Sequence, residues 1–330
     1  MKLTRLISVI IALAMVGSLV ACSGAPAPSN SSQPVEAKGG NYIMATGGTS
    51  GTYYPLGGAM AQIIAKYVPN TNVTPNATGA SKENIRLVSS GDADIAIVQN
   101  DVLDYASKGI EIFNGEKVSG LTVLATLYPE VCQVVVGADS GINSIADLKG
   151  KRVSVGDAGS GVEANAKQIL EIYGLKFEDL NASRLSFKES ASAFQDKQID
   201  AFFVTSGVPN TAIQEVSLQN KVKVLSLEAD KLKALMEKYP YYTQFVIPKD
   251  VYKTEQDATT VAIKATLIVR EKLSEAEVYN MTKALFEHLD ELGNAHSKGK
   301  EMSLQSSVQG VSVKFHPGAE KYFKEKGAIK

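Results

Sequence analysis

The chain has 330 residues, with 34 basic against 35 acidic side chains, a formal charge of −1 and 44% apolar residues. That near-balance offers no basic surface for a polyanion and argues against nucleic acid as a partner. There are two cysteines, Cys22 and Cys132; with Cys22 at the end of an export leader, no internal disulfide remains possible.

Lys2 and Arg5 precede an apolar run from Leu6 to Ala21, too short for a comfortable membrane span and of signal-peptide length. Its end, Leu19-Val20-Ala21-Cys22, resembles a bacterial lipobox, in which Cys22 becomes the lipidated first residue. An ordinary secretory signal with a coincidental cysteine is the alternative. Residues 1–21 are therefore read as a lipoprotein signal peptide. Residues 22–40 are read as the lipidated Cys and a flexible tether, because Ser23–Gly40 is rich in Ser, Pro, Ala and Gly and has no apolar periodicity. Its root-mean-square reach is roughly 20–25 Å. Loss of Lys2 and Arg5 leaves 32 basic against 35 acidic residues, a formal charge of −3. The expected location is extracytoplasmic and anchored to the membrane through Cys22.

The remaining 290 or so residues exceed what one compact core usually holds, so two lobes are expected. Tyr42-Ile43-Met44-Ala45 reads as a strand. The turn Gly47-Gly48-Thr49-Ser50-Gly51-Thr52 follows, then a helix with Met60, Ile63, Ile64, Tyr67 and Val68 on one face. Strand, glycine-rich turn and helix form a geometry that aims backbone N–H groups at an anion. A helix closed by Gly91 precedes the strand Ala93–Val98, which ends at Gln99-Asn100-Asp101. Cys132, inside the apolar run Val131–Val136, reads as a buried small side chain rather than a nucleophile.

The turn logic recurs after Arg152-Val153-Ser154-Val155. There Gly156-Asp157-Ala158-Gly159-Ser160-Gly161 leads into a helix with Val162, Ala166, Ile169, Leu170 and Tyr173 on one face. Asp200–Val204 reads as a strand ending Thr205-Ser206-Gly207-Val208-Pro209, with Pro209 fitting the first turn of the next helix. A long helix begins with a capping box, Ser274 with Glu277, and carries Val278, Met281, Leu285, Leu289 and Leu292 inward. His316-Pro317-Gly318 opens a terminal helix through Tyr322 and Phe323.

Short β-rich runs alternating with amphipathic helices define an α/β chain with mostly parallel sheets. Ligands of open α/β sheets bind beyond the carboxyl ends of the strands. Four such ends carry hydroxyls, amides or glycine: Thr46–Tyr54, Gln99–Asp101, Gly156–Gly161 and Thr205–Pro209. Each is weak alone. Gly156-x-x-Gly159-x-Gly161 lacks the Lys-Ser/Thr of a nucleotide P-loop, and Gly47-Gly48 completes no dinucleotide fingerprint, so no cofactor is expected. Ser50 and Ser160 could equally serve turn or cap chemistry. A hydrolase built on either would need a general base. His288, His296 and His316 all fall in the last fifth of the chain without metal-ligand spacing, so no catalytic residue and no metal site is expected.

Several segments make the chain similar to TAXI-family solute-binding subunits of TRAP-type transporters. They are Gly47–Pro55, Thr78-Gly79-Ala80-Ser81 with Asn84-Ile85, Ile97–Asp101, Tyr128-Pro129-Glu130, Asp147–Gly156, Gly159-Ser160-Gly161 with Asn165-Ala166, Asp200–Phe203 with Gly207-Val208-Pro209, and His316–Glu320. The resemblance runs in order through residues 41–327. It implies a two-lobed type II periplasmic binding protein, a Venus flytrap with discontinuous lobes: 41–127 plus 246–330, and 128–245. Tyr128-Pro129-Glu130 would be the first hinge crossing and Tyr242–Ile247 the return.

The implied partners are a small carboxylate, glutamate- or 2-oxoglutarate-like, and the TRAP membrane permease, with the binding subunit a monomer. The matching positions are Thr49, Ser50, Tyr54, Gln99 and Asn100 in lobe one, and Ser160, Gly161, Asn165, Thr205 and Gly207 in lobe two. Asn100 departs from the Ser of many relatives. Of Tyr53 and Tyr54, the second is expected to face the ligand. Only Arg86, Arg152, Arg184 and Arg270 follow the leader. None is placed as a carboxylate clamp, so neutral donors and helix dipoles are expected to hold the anion. The competing reading is a type II binding protein of an ABC importer for a sulfonate, phosphonate or thiamine precursor.

Overall fold

Ten strands and ten α-helices succeed one another in the computed structural model, which describes residues 39–330; the leader, Cys22 and most of the expected tether lie outside the described residues. The strands are β1 (Gly40–Ala45), β2 (Thr71–Asn76), β3 (Ile95–Gln99), β4 (Leu121–Gly137), β5 (Arg152–Ser154), β6 (Asn181–Ser183), β7 (Ala201–Ser206), β8 (Val222–Val224), β9 (Thr243–Ile247) and β10 (Ala258–Arg270). The helices are α1 (Tyr53–Tyr67), α2 (Ser81–Ser90), α3 (Asn100–Lys108), α4 (Gly161–Ile172), α5 (Phe187–Gln195), α6 (Thr211–Gln219), α7 (Ala229–Lys238), α8 (Glu275–Glu287), α9 (Leu289–Ala295) and α10 (Pro317–Glu325). Gly40, expected as the end of the tether, already pairs with Thr71 in the sheet.

The strand order is β2-β1-β3-β10-β4-β7-β5-β6, with β8 beside β4 and β9 beside β10. Parallel pairs build both flanks, β2-β1-β3 and β7-β5-β6. Two long antiparallel strands, β4 and β10, join them. This is an α/β fold of the two-lobed, type II solute-binding class.

The apolar core divides along those two long strands. Leu124, Leu127 and Tyr128 of β4, with Ala265 and Leu267 of β10, pack with α1 and α8. A few residues on, Cys132 and Val134 of β4, with Val261 and Ile263 of β10, pack with α4 and α7. The division falls where Glu130 pairs with Ile263 and Pro129 with Lys264. Tyr242 and Ile247, expected at the return crossing, are instead buried in the cores of the second half, because β9 hydrogen-bonds to the Ala258–Ala262 end of β10.

Helix entry follows the expected residues in most places. Met60, Ile63 and Ile64 of α1 are buried, while Tyr67 turns out to stack on His288 with ring centroids 3.4 Å apart. Ser274 and Glu277 form their capping box, but the expected long helix breaks at His288 into α8 and α9. His316 caps α10, its Nδ1 accepting from the Gly318 N–H. Pro209, expected in the first turn of the following helix, falls just before it: Asn210 is the N-cap of α6, with its Oδ1 accepting from Ile213 N. Among the described residues, no helix is long and apolar enough to cross a membrane.

Candidate functional site

The parallel pairing of β1 with β3, and of β5 with β7, brings four strand ends to one side of the sheet. Around them closes a cavity lined from the first half by Gly47, Gly48, Ser50–Tyr53, Ala80, Ser81 and Gln99. The second half contributes Asp157, Ser160–Val162, Phe187, Thr205 and Ser206, and Glu130 stands at the division between them. The halves touch directly beside it: Gly207 N donates to Thr52 Oγ1 (3.2 Å) and Asn210 Nδ2 to Ser50 O (3.3 Å). The cavity is small, about 50 Å³.

Three helices begin at this wall, α1 after Thr52, α2 after Ala80 and α4 after Ser160. Each helix start carries about half a positive charge and unsatisfied N–H groups. At α4, Ser160 caps the helix by accepting from Glu163 N (3.1 Å), which leaves its own proton free to donate into the cavity. Gly156 is held at φ +91°, where a Cβ would also press on Val162 at 2.7 Å. At Gly161 a Cβ would meet Gln99 Oε1 at 2.0 Å, so any larger residue there would displace the Gln99 carboxamide.

Gln99 is 2% exposed, yet its Oε1 has no hydrogen-bond partner among the described residues. Its backbone N–H is used, donating to Ser81 Oγ (3.1 Å), which ties β3 to the start of α2. A buried, unpaired carboxamide costs about 1–3 kcal/mol. Such a group is one that a ligand can satisfy.

No Lys, Arg or His is among the residues lining the cavity. The four arginines among the described residues are paired elsewhere: Arg86 with Glu116, Arg152 with Asp200, Arg184 with Glu163 and Arg270 with Asp94. Arg184 comes nearest in the chain of contacts, because Glu163 also accepts from Gly159 N (2.7 Å) behind the second turn. The lining does hold two carboxyls, Glu130 and Asp157. Tyr53 donates to Glu130 Oε2 at 2.5 Å, and the Tyr128 hydroxyl stands 3.5 Å from Oε1. Burial pushes the Glu130 carboxyl up to about 8 and raises Asp157 less steeply, with neighbouring carboxylates adding to both.

Ser50, Gln99, Ser160, Gly161 and Thr205 are thus placed on the cavity wall, and the other five candidate positions are not. Thr49 is exposed on the outer side of its turn, and Tyr54 is half-buried beyond the wall. The wall position belongs to Tyr53, buried by its bond to Glu130. Asn100 is buried but engaged, donating to Gly310 O and accepting from Lys264 N. Asn165 donates to Asp101 Oδ2 (3.0 Å) and Tyr242 OH (2.8 Å), in a polar cluster behind the cavity. Gly207 uses its N–H on Thr52 and lies against Lys298.

Glu130, Asp157, Ser81 and Phe187 were not among the expected ligand positions. Glu130 was expected only at the first hinge crossing, and its place as a charged residue amid apolar neighbours, Tyr128-Pro129-Glu130-Val131-Cys132, is the signal that could have marked it. Cys132 is a free buried thiol, pushed up to about 12 by burial. His288, His296 and His316 are all absent from the lining. Among the described residues, no group of three His, Cys, Asp or Glu could hold a metal.

The two halves of this α/β body thus meet around one small cavity at the strand ends. The chain belongs to the NMT1-like family, which it matches over residues 44–327. Its fold is similar to that of PhnD1 from Prochlorococcus marinus in complex with methylphosphonate, with a TM-score of 0.54, 10% identity and coverage of 87% of this chain and 99% of that one. It is also similar to a putative L-cystine ABC transporter protein from Listeria monocytogenes, with a TM-score of 0.50, 18% identity and coverage of 80% and 98%. At such identities the likeness is one of fold.

Proposed function

We propose that this protein is the solute-binding lipoprotein of a TRAP-type transporter of the TAXI class, capturing a small carboxylate and delivering it to the membrane permease. The observation that carries the ligand class is the convergence of three helix starts and the free Ser160 proton on one cavity; Gln99 Oε1, an acceptor without a partner, would take a donor of the ligand such as an ammonium or hydroxyl group. Helix starts and a hydroxyl suit one carboxylate, and so small a cavity suits a small ligand. The lobes would close about β4 and β10 where Pro129 faces Lys264, with ligand contacts to both sides shifting the population toward the closed form. Lobe one then regains the chain on β10 rather than at residue 246. Anchoring through Cys22 belongs to the same reading; Cys22→Ser should release the protein from membranes, and labelled fatty acid should enter only the wild type.

The second reading, a binding protein of an ABC importer for another small anion, is favoured by the methylphosphonate-bound PhnD1 neighbour. Against it, a phosphonate brings up to two negative charges to a wall that holds Glu130 and Asp157 and no basic side chain. A thermal-shift screen separates the two. At a hundredfold excess over Kd, a ligand adds about 2.7 kcal/mol of stability. Stabilisation by small amino or keto carboxylates is expected; stabilisation by methylphosphonate or alkanesulfonates alone would favour the importer, and by sugars alone would sink both.

A further inference from the structure

We propose that Glu130 reads the charge of the ligand: a carboxylate lacking an ammonium group enters the closed cavity with one proton held on Glu130, whereas an amino acid zwitterion enters without one. This deepens the carboxylate reading above and rests on it.

The wall around Glu130 decides the matter. From α1, Tyr53 donates to Oε2, and along β4 itself stand the Tyr128 hydroxyl and the neutral Cys132 thiol. Asp101 of α3 and Asp157 of the second turn are the nearest further charges, both acidic. Two lysines approach this region, and both are engaged. Lys298 packs on Gly207 and pairs with Glu301 at 2.5 Å, while Lys264 gives its Nζ to Ser306 O at 3.1 Å. The helix starts and the Ser160 hydroxyl can hold one carboxylate, but no cation among the residues lining the cavity offsets a second negative charge.

Two carboxylates in one enclosed site share a proton. Here the second is the ligand's. Glu130 already holds its proton more tightly than an ordinary carboxyl, up to about 8 in the closed structure. A keto acid therefore finds its hydrogen-bond donor in neutral Glu130, and an amino acid finds its counter-ion in ionised Glu130.

Pyruvate and L-alanine, alike in size but −1 and zwitterionic, test this by titration calorimetry at pH 6 and 9 in buffers of different ionisation enthalpy. Pyruvate should bind at pH 6, take up close to one proton at pH 9, and weaken by up to about tenfold per pH unit above about 8. L-Alanine should take up none at pH 9 and release close to one at pH 6, where free Glu130 is protonated. In Glu130→Gln, a near-isosteric change, proton uptake should vanish and amino-acid affinity should fall at least about tenfold.

The proton count in the wild type stands even if that variant folds poorly. Keto-acid binding without proton uptake, uptake that persists in Glu130→Gln, or failure of keto acids at pH 6 while amino acids bind would overturn the proposal and leave the carboxylate reading intact. If no probe binds at millimolar concentration at either pH, the carboxylate reading fails and takes this proposal with it.

Discussion

Two buried polar clusters lie where the halves of the molecule meet, and they differ in how completely they satisfy themselves. Behind the cavity, Asn165 bridges Asp101 and Tyr242, Tyr242 donates to Gln168 Oε1, and Gln168 donates to Tyr105 OH at 2.9 Å. Only Asn165 Oδ1 is left over. On the cavity wall, by contrast, the side chain of Gln99 makes no hydrogen bond within the described residues, and Ser160 keeps a free proton. Unpaired polar groups destabilise a fold unless something else completes them. The first cluster is nearly complete within the fold, whereas the second leaves groups that a ligand could satisfy.

The largest effect that would sharpen this contrast is on Gln99. Gln99→Ala should weaken ligand binding by about 10- to 150-fold, the worth of roughly 1.5–3 kcal/mol for a bond to a charged group, with little loss of stability. Calorimetry beside a urea melt would show it, and unchanged affinity would break the assignment of this wall.

Asn165→Leu should do the reverse. It strips Asp101 and Tyr242 of a partner and should lower stability by about 1–3 kcal/mol in a urea melt, while the affinity per folded molecule stays near wild type.

Ser160→Ala should touch both properties, since the residue caps α4 and also faces the cavity. Loss of the cap should lower stability by ~0.5–2 kcal/mol, and ligand dissociation should quicken in stopped-flow traces. A change in stability alone would make Ser160 a cap and nothing more.

A smaller signature concerns pH. Asp101 is pushed up to about 7 by burial, above its ordinary value of 3.8. The folded protein then keeps a proton that the unfolded chain has lost, so stability should fall as pH rises from about 4 to about 7 and level off above. Glu130 adds a similar slope reaching about 8. Asp101→Asn should flatten the lower part of that profile, and an unchanged profile would show that Asp101 is ionised in the fold.

The smallest expected effect is none. Tyr54→Phe should bind like the wild type, because Tyr54 lies off the wall; Tyr53→Phe should not, because it frees Glu130 Oε2.

Much of this was legible in the chain because it depends on neighbours in sequence. The strand–turn–helix units at Gly47 and Gly156, the capping box of Ser274 with Glu277 and the His316 cap follow from local turn and cap chemistry. The convergence of strand ends follows from parallel β/α order, and half of the candidate positions reached the wall on that basis.

What failed depended on partners distant in sequence. Helical spacing alone cannot say which of two adjacent tyrosines faces inward. Tyr53 does so because Glu130 waits 77 residues away on β4. Asn165 was expected as a ligand group from the family resemblance, but Asp101 and Tyr242 claim it across the two halves. That β9 pairs with the Ala258–Ala262 end of β10 was equally hidden from the sequence. By itself the sequence determined an α/β chain with two glycine-rich strand–turn–helix units, because those features are local or compositional. Only the tertiary structure decided which polar groups remain unpaired, and therefore where a ligand would sit, since pairing is a property of contacts between elements and not of any one of them.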